Sequence, residues 1–157
     1  MTETRIHPVT GKRLTRQVRT QVVAFGSLSA SADVPGWYPE DDSDSIHSGS
    51  DLSERDEVFA KLRKAYGEHV REIRKSLRLT QVEAGNLVGG GPRAFQKYEK
   101  GVMPPSDAAV GLLEILWNDP AKIELLKGLR KSRSEVPEGG QGSLPMRKAS
   151  RRGDATA

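Results

Sequence analysis

The chain has 157 residues, 35% hydrophobic, with 25 Lys and Arg against 21 Asp and Glu for a net charge of +4. That length suits one domain or two small ones, and the absence of cysteine excludes disulfides and thiolate zinc sites. No apolar run approaches the ~20 residues of a membrane span, and the N-terminal stretch lacks the apolar centre of a signal peptide, so a soluble cytoplasmic protein is expected.

The first 50 residues read as a small antiparallel β module. Val18, Thr20 and Val22 alternate with Arg19, Gln21 and Val23, a period of two that fits a half-buried strand. Gly26-Ser27 turns the chain into a second strand from Leu28 to about Val34, before Pro35-Gly36-Trp37-Tyr38. A sheet this small needs a staple, a metal or a partner, and Leu14, Phe25 and Trp37 are its candidate core. Residues 33 to 57 carry nine acids and one base, Arg55. The part over 40–57 is either an acidic docking surface or a solvated linker.

From Ser53 the pattern becomes helical. Val58, Phe59, Leu62 and Tyr66 continue towards Val70, Ile73 and Leu77 at three- and four-residue spacing. Gly67 falls inside this run, at a cost near ~1 kcal/mol relative to Ala in a helix, so the run is either continuous or kinked there. Thr80-Gln81-Val82-Glu83 fits a capping box, with Val82, Ala84, Leu87 and Val88 expected to face inward. Gly89-Gly90-Gly91 ends this second helix, since glycine takes positive φ freely. A third helix is predicted over 92–100, opened by Pro92, with Ala94, Phe95 and Tyr98 inward and Arg93, Gln96, Lys97 and Lys100 outward.

Two helices joined by a glycine turn, the second bearing basic and amide groups, form the helix-turn-helix pattern. Arg and Lys bond guanine and Gln pairs with adenine in the major groove. An ordinary helical hairpin with a solvated charged face has the same spacing. Residues 68 to 103 hold seven bases against four acids, the distribution that phosphate contacts require.

Ser106 caps a fourth helix carrying Val110, Leu112, Leu113, Leu116 and Trp117. Asp119-Pro120 opens a fifth with Ile123, Leu125, Leu126 and Leu129. These leucines either form a two-fold dimer contact, presenting two reading helices to a palindromic site, or close the monomer's core. From Lys131 the chain is rich in Gly, Ser, Pro and charge, and a disordered basic tail is expected over 131–157.

The string LRLTQVEAGNLVGGGPRAFQKYEKG, followed by PPSDAAVGLLEIL, resembles the DNA-binding domain of the MqsA-type antitoxins, a branch of the Xre-like helix-turn-helix family. Its distinctive parts are the triple glycine, Ala94-Phe95 and Tyr98-Glu99-Lys100-Gly101, and weaker likeness reaches into the N-terminal part. The resemblance implies a mostly α protein, with a five-helix bundle over 53–130 behind the β module of 1–50. It further implies an antitoxin that represses its own operon as a homodimer on double-stranded operator DNA and neutralises a cognate toxin, an mRNA-cleaving ribonuclease. Gln81, Arg93, Gln96, Lys97, Tyr98 and Lys100 are the DNA-binding candidates. The resemblance places Arg93 and Lys97 at base-reading and phosphate-facing positions, where Asn and Arg are commoner in the family. The family's N-terminal module holds zinc through two Cys-x-x-Cys pairs, whose positions fall here on His7 and Thr10, and on Pro39 and Asp42. No metal or other cofactor is therefore expected. The alternative function is a stand-alone transcriptional regulator. Catalysis is not expected, since His7, His47 and His69 are scattered and no carboxylate dyad or phosphate loop occurs.

Overall fold

A computed structural model describes residues 2–135. Its elements run β1 (Thr4–Ile6), β2 (Arg13–Phe25), β3 (Leu28–Tyr38), α1 (Ser53–Ser76), α2 (Gln81–Val88), α3 (Ala94–Glu99), α4 (Asp107–Asn118) and α5 (Lys122–Ser134). The mostly α architecture with a small N-terminal antiparallel sheet is the one the sequence predicts.

The sheet has the order β1-β2-β3, with β2 and β3 in register from Thr15↔Tyr38 to Phe25↔Leu28. The two-residue turn is Gly26-Ser27, and Gly26 takes φ +61°, the positive φ that tight hairpins need. β3 runs past the expected stop at Val34, through Pro35 to Tyr38. Proline is admissible there because β3 is an edge strand, with no ladder partner required on its outer side. Trp37 then closes that outer side by exchanging backbone hydrogen bonds of 2.8 and 2.9 Å with Ile46. β1, three residues long, is too short to show a period in the sequence.

Val23, Phe25, Ala32 and Val34 are buried in one continuous apolar cluster with Leu62, Tyr66, Val70 and Ile73 of α1. Phe25 meets Phe59 and Tyr66 edge-on, with centroids 5.6 and 5.9 Å apart. The staple for the small sheet is thus α1 of the same chain.

α1 is continuous through Gly67 and spans 24 residues, about 36 Å at 1.5 Å per residue. Ser53 is its first helical residue and makes no cap, while Glu54 and Asp56 lie in the first turn and Arg74 and Lys75 in the last, each favourable to the helix dipole. Beyond its end, Arg78 N–H donates to the Lys75 carbonyl and Leu79 N–H to the Arg74 carbonyl. This is a Schellman closure, with Arg78 at φ +57° where glycine is usual.

In α2 the capping box forms as predicted: Thr80 Oγ1 accepts from Glu83 N–H at 3.2 Å, and Glu83 Oε2 accepts from Thr80 N–H at 3.4 Å. Val82 does not face inward. It is 52% exposed, because two residues from buried Ala84 is about 200° around a helix of 3.6 residues per turn. α3 begins at Ala94, two residues later than predicted, with Pro92 and Arg93 in the turn before it. Ser106 caps α4 by accepting from Ala109 N–H at 3.3 Å. Asp119 does not cap α5, which starts at Lys122 without a side-chain cap. Leu113, Leu116 and Ile123 are buried, whereas Ile115, Leu125 and Leu129 are 57%, 62% and 58% exposed. α5 continues to Ser134, past the boundary expected at Arg130. The rest of the predicted tail, 136–157, lies outside the described residues.

Candidate nucleic-acid interface

α3 has six residues, too few to be stable alone, so its orientation comes from what it buries. Phe95 is fully buried, Tyr98 and Ala94 nearly so, and the Phe95 and Tyr98 rings meet edge-on at 5.5 Å. Full burial of an aromatic of this size stabilises by about 1.5–3 kcal/mol. With that face committed, Arg93, Gln96, Lys97 and Lys100 are left exposed. Among the described residues none of these three cations has an ion-pair partner.

The turn before α3 depends on close backbone approach. Gly89, Gly90 and Gly91 have φ of +128°, +91° and +90°, all in the region that favours glycine. Gly85, inside α2, is equally constrained, since a Cβ there would collide with the Gly91 carbonyl. The Gly85 carbonyl accepts from both Gly89 and Gly91 N–H, at 3.1 and 3.3 Å, which closes α2 onto the turn.

Between the helices lies a polar clamp. Arg74 of α1 donates to the Glu99 carboxylate through Nε at 2.5 Å and a terminal nitrogen at 3.3 Å, and to the Leu79 carbonyl at 3.0 Å. Gln81 Nε2 also donates to Glu99, at 2.9 Å. Of the six predicted residues, Gln81 is therefore held at the start of α2, while Arg93, Gln96, Lys97 and Lys100 share the outer side of α3 and its preceding turn. Tyr98 is only 7% exposed, with its hydroxyl beneath Gly90, a core position first and a surface one hardly at all. The Arg74–Glu99–Gln81 clamp is absent from the sequence-based expectations. It joins three helices and has no local signature in the sequence, and Gly67 lies where α1 meets the end of α3.

In the sheet, the residues at the resembling family's metal positions do not fit zinc. His7 Nδ1 already accepts from Val9 and Thr10 N–H, both at 3.1 Å, Pro39 has no ligand atom, and zinc sites require about four ligands, mainly Cys or His. Lys12 instead bridges the two turns, 2.6 Å from Asp41 and 2.9 Å from the Ser43 hydroxyl. Among the described residues no group of three or more His, Cys, Asp or Glu could hold a metal ion. None of the helices among these residues is long and apolar enough to cross a membrane.

A capped helix, a three-glycine turn and a short anchored helix with an outward basic face define a helix-turn-helix protein, here built onto a β-sheet. The sequence model described as "Antitoxin component of bacterial toxin-antitoxin system, MqsA" matches residues 36–130, more than half the chain, and the chain belongs to that family. It is 43% identical over 63 residues to the antitoxin MqsA of Escherichia coli (strain K12). That match covers 40% of this chain and 46% of the relative, so it spans less than half the relative's length. Residues 1–35, with β1, β2 and most of the β2–β3 hairpin, precede the family match.

Proposed function

We propose that this antitoxin-family chain is a sequence-specific DNA-binding autorepressor, inserting α3 into the major groove and neutralising a cognate ribonuclease toxin. The observation that carries the DNA reading is the division of α3: Phe95 and Tyr98 are buried while Arg93, Gln96, Lys97 and Lys100 remain exposed and unneutralised by described carboxylates. Arg93 and Gln96 are assigned to base edges, Lys97 and Lys100 to phosphate, with Gln81 as a backbone contact and Tyr98 as support beneath the turn. No catalytic role is assigned. The uncovered Ile115, Leu125 and Leu129 support a homodimer, since the monomer's core closes on Leu113, Leu116 and Ile123 without them.

Toxin binding is assigned to the N-terminal module. β1 pairs with β2 only over Arg13–Thr15, so beyond Arg16 that side of β2 lacks a strand among the described residues, and Val18 and Val22 are 59% and 76% exposed. Such an edge accepts a further strand through main-chain hydrogen bonds. The acidic segment is the weaker docking surface, since Asp41 and Asp51 are already paired with Lys12 and Arg16. The absence of the family's zinc ligands and the match beginning at residue 36 favour a second reading, a stand-alone regulator without a toxin.

Footprinting on the DNA upstream of the reading frame tests the repressor, and co-expression with each adjacent reading frame tests the antitoxin. Protection of a palindromic site together with rescue from a toxic neighbour is expected. Protection without any toxic neighbour selects the stand-alone regulator, and no protection at all removes both.

A further inference from the structure

A polar cleft of about 460 Å³ opens between α1, α2 and α3, lined by Arg71, Arg74, Gln81, Gln96, Glu99 and Lys100. It holds three cations against one carboxylate, and the clamp cancels one pair: Arg74 is bound to Glu99. The charge that remains belongs to Arg71 and Lys100. Both are exposed, and neither has an ion-pair partner among the described residues. Arg71 lies on α1, outside the helix-turn-helix, yet it shares the cleft with Gln96 on the outward side of α3. The same two cations also line the adjoining cleft with Arg63 and Lys64, against Glu68 and the clamped Glu99, so cations still outnumber carboxylates from α3 along α1.

We propose that this cleft seats one phosphate of the DNA backbone flanking the bases read by α3, with Arg71 and Lys100 as its contacting cations. The inference rests on the DNA-binding reading above. A guanidinium offers planar paired donors that match phosphate oxygens, and an ammonium supplies a point charge from the opposite wall. Gln81, whose amide is also bound to Glu99, keeps the floor of the cleft polar, and Glu99 is prevented from repelling the anion because Arg74 holds it. The assignment extends the footprint by a residue from a helix with no part in base recognition. Its contribution is accordingly independent of sequence.

The test measures the salt dependence of binding by the full chain to two duplexes, the DNA upstream of its reading frame and a mixed-sequence duplex of equal length. Each neutralised phosphate contributes about 0.9 to the slope of log affinity against log salt. Arg71→Ala/Lys100→Ala should flatten the slope by about that amount on both duplexes and Arg71→Ala alone by part of it, each leaving the affinity ratio of the two duplexes unchanged, while Arg71→Lys should retain the wild-type slope. Wild-type binding with an unchanged slope in both Arg71→Ala and the Arg71→Ala/Lys100→Ala double variant overturns the seat and leaves the reader standing. Failure of the wild-type chain to bind either duplex overturns the reader, and the seat with it. Displacement of DNA by inorganic phosphate at matched ionic strength, dependent on Arg71 but with no change in slope, would assign the cleft to a free anion instead.

Discussion

Gly67, midway along α1, lies directly against the backbone carbonyl of Glu99, the last residue of α3. A Cβ at Gly67 would collide with that oxygen, and the obstacle is main chain, which cannot swing aside. The glycine therefore sets how closely α3 docks, and through Glu99 it sets where Gln81 and Arg74 converge. Gly67→Ala gains about 1 kcal/mol in helix propensity and incurs overpacking of about 1–3 kcal/mol or more. Because the obstacle is main chain, the cost falls in the upper part of that range, and a net loss of about 1–2 kcal/mol is expected, seen as a fall of roughly 5 °C in Tm, with weaker DNA binding because α3 shifts. An unchanged or raised Tm contradicts the close docking.

Tyr66 is fully buried beneath Gly26, and its hydroxyl has no hydrogen-bond partner among the described residues. An unsatisfied buried hydroxyl costs about 1–3 kcal/mol, so Tyr66→Phe should stabilise the fold by roughly 1 kcal/mol. Burial, aided by the Glu114 carboxylate, pushes the Tyr66 pKa from 10.0 up to about 12. The folded state thus keeps a proton that the unfolded chain releases. Its contribution is complete below pH 10 and is lost as pH rises towards 12. Chemical denaturation at neutral pH and at pH 11 should show the Phe variant ahead at both, and further ahead at pH 11.

What could be read in advance was local. The Thr80–Glu83 box and the Ser106 cap satisfy their backbone needs within three residues and the glycine turn within six, so spacing alone reveals them. The division of α3 followed from its own period, because Phe95 and Tyr98 are three apart and both apolar-bodied. Contacts between elements left no such trace. Glu99 looks like one more surface acid until α1 and α2 bring Arg74 and Gln81 to it. Val82 looks like core until its angle from Ala84 is measured. Pro35 looks like a strand stop until β3 proves to be an edge. The sheet's dependence on α1 was hidden for the same reason: Phe25 meets Phe59 and Tyr66 across a sequence distance that no window spans.

Asp51 joins the sheet to the start of α1. Its carboxylate accepts from both terminal nitrogens of Arg16, at 2.8 and 2.7 Å, and from Ser48 N–H at 2.9 Å. The Arg16 hydrogen bonds, followed by that of Ser48, hold its pKa below the usual carboxylate value. A depressed folded pKa gives stability that is complete above the unfolded value near ~4 and declines as acid titrates the group. Asp51→Asn should therefore be less stable than wild type at pH 7, with the gap closing below pH ~4. Urea midpoints at pH 7 and pH 3 measure this, and a gap of constant size at both would remove the ion pair from the account.

Arg93 and Lys97 stand one turn apart on the exposed side of the reader, and their chemistry separates their expected roles. A guanidinium at the start of α3 can bond two acceptors of a guanine edge, which is worth about 1–3 kcal/mol of discrimination. Arg93→Ala should then cut affinity for the upstream site by roughly 10- to 100-fold while leaving affinity for mixed-sequence duplex nearly unchanged. Lys97, assigned to phosphate, should behave oppositely: Lys97→Ala weakens both duplexes alike and flattens the salt slope by about 0.9. Anisotropy titrations over a range of salt distinguish the pair. If Lys97→Ala alters the ratio between the two duplexes and Arg93→Ala does not, the two roles are exchanged. If neither variant changes affinity, α3 is not the element that meets DNA.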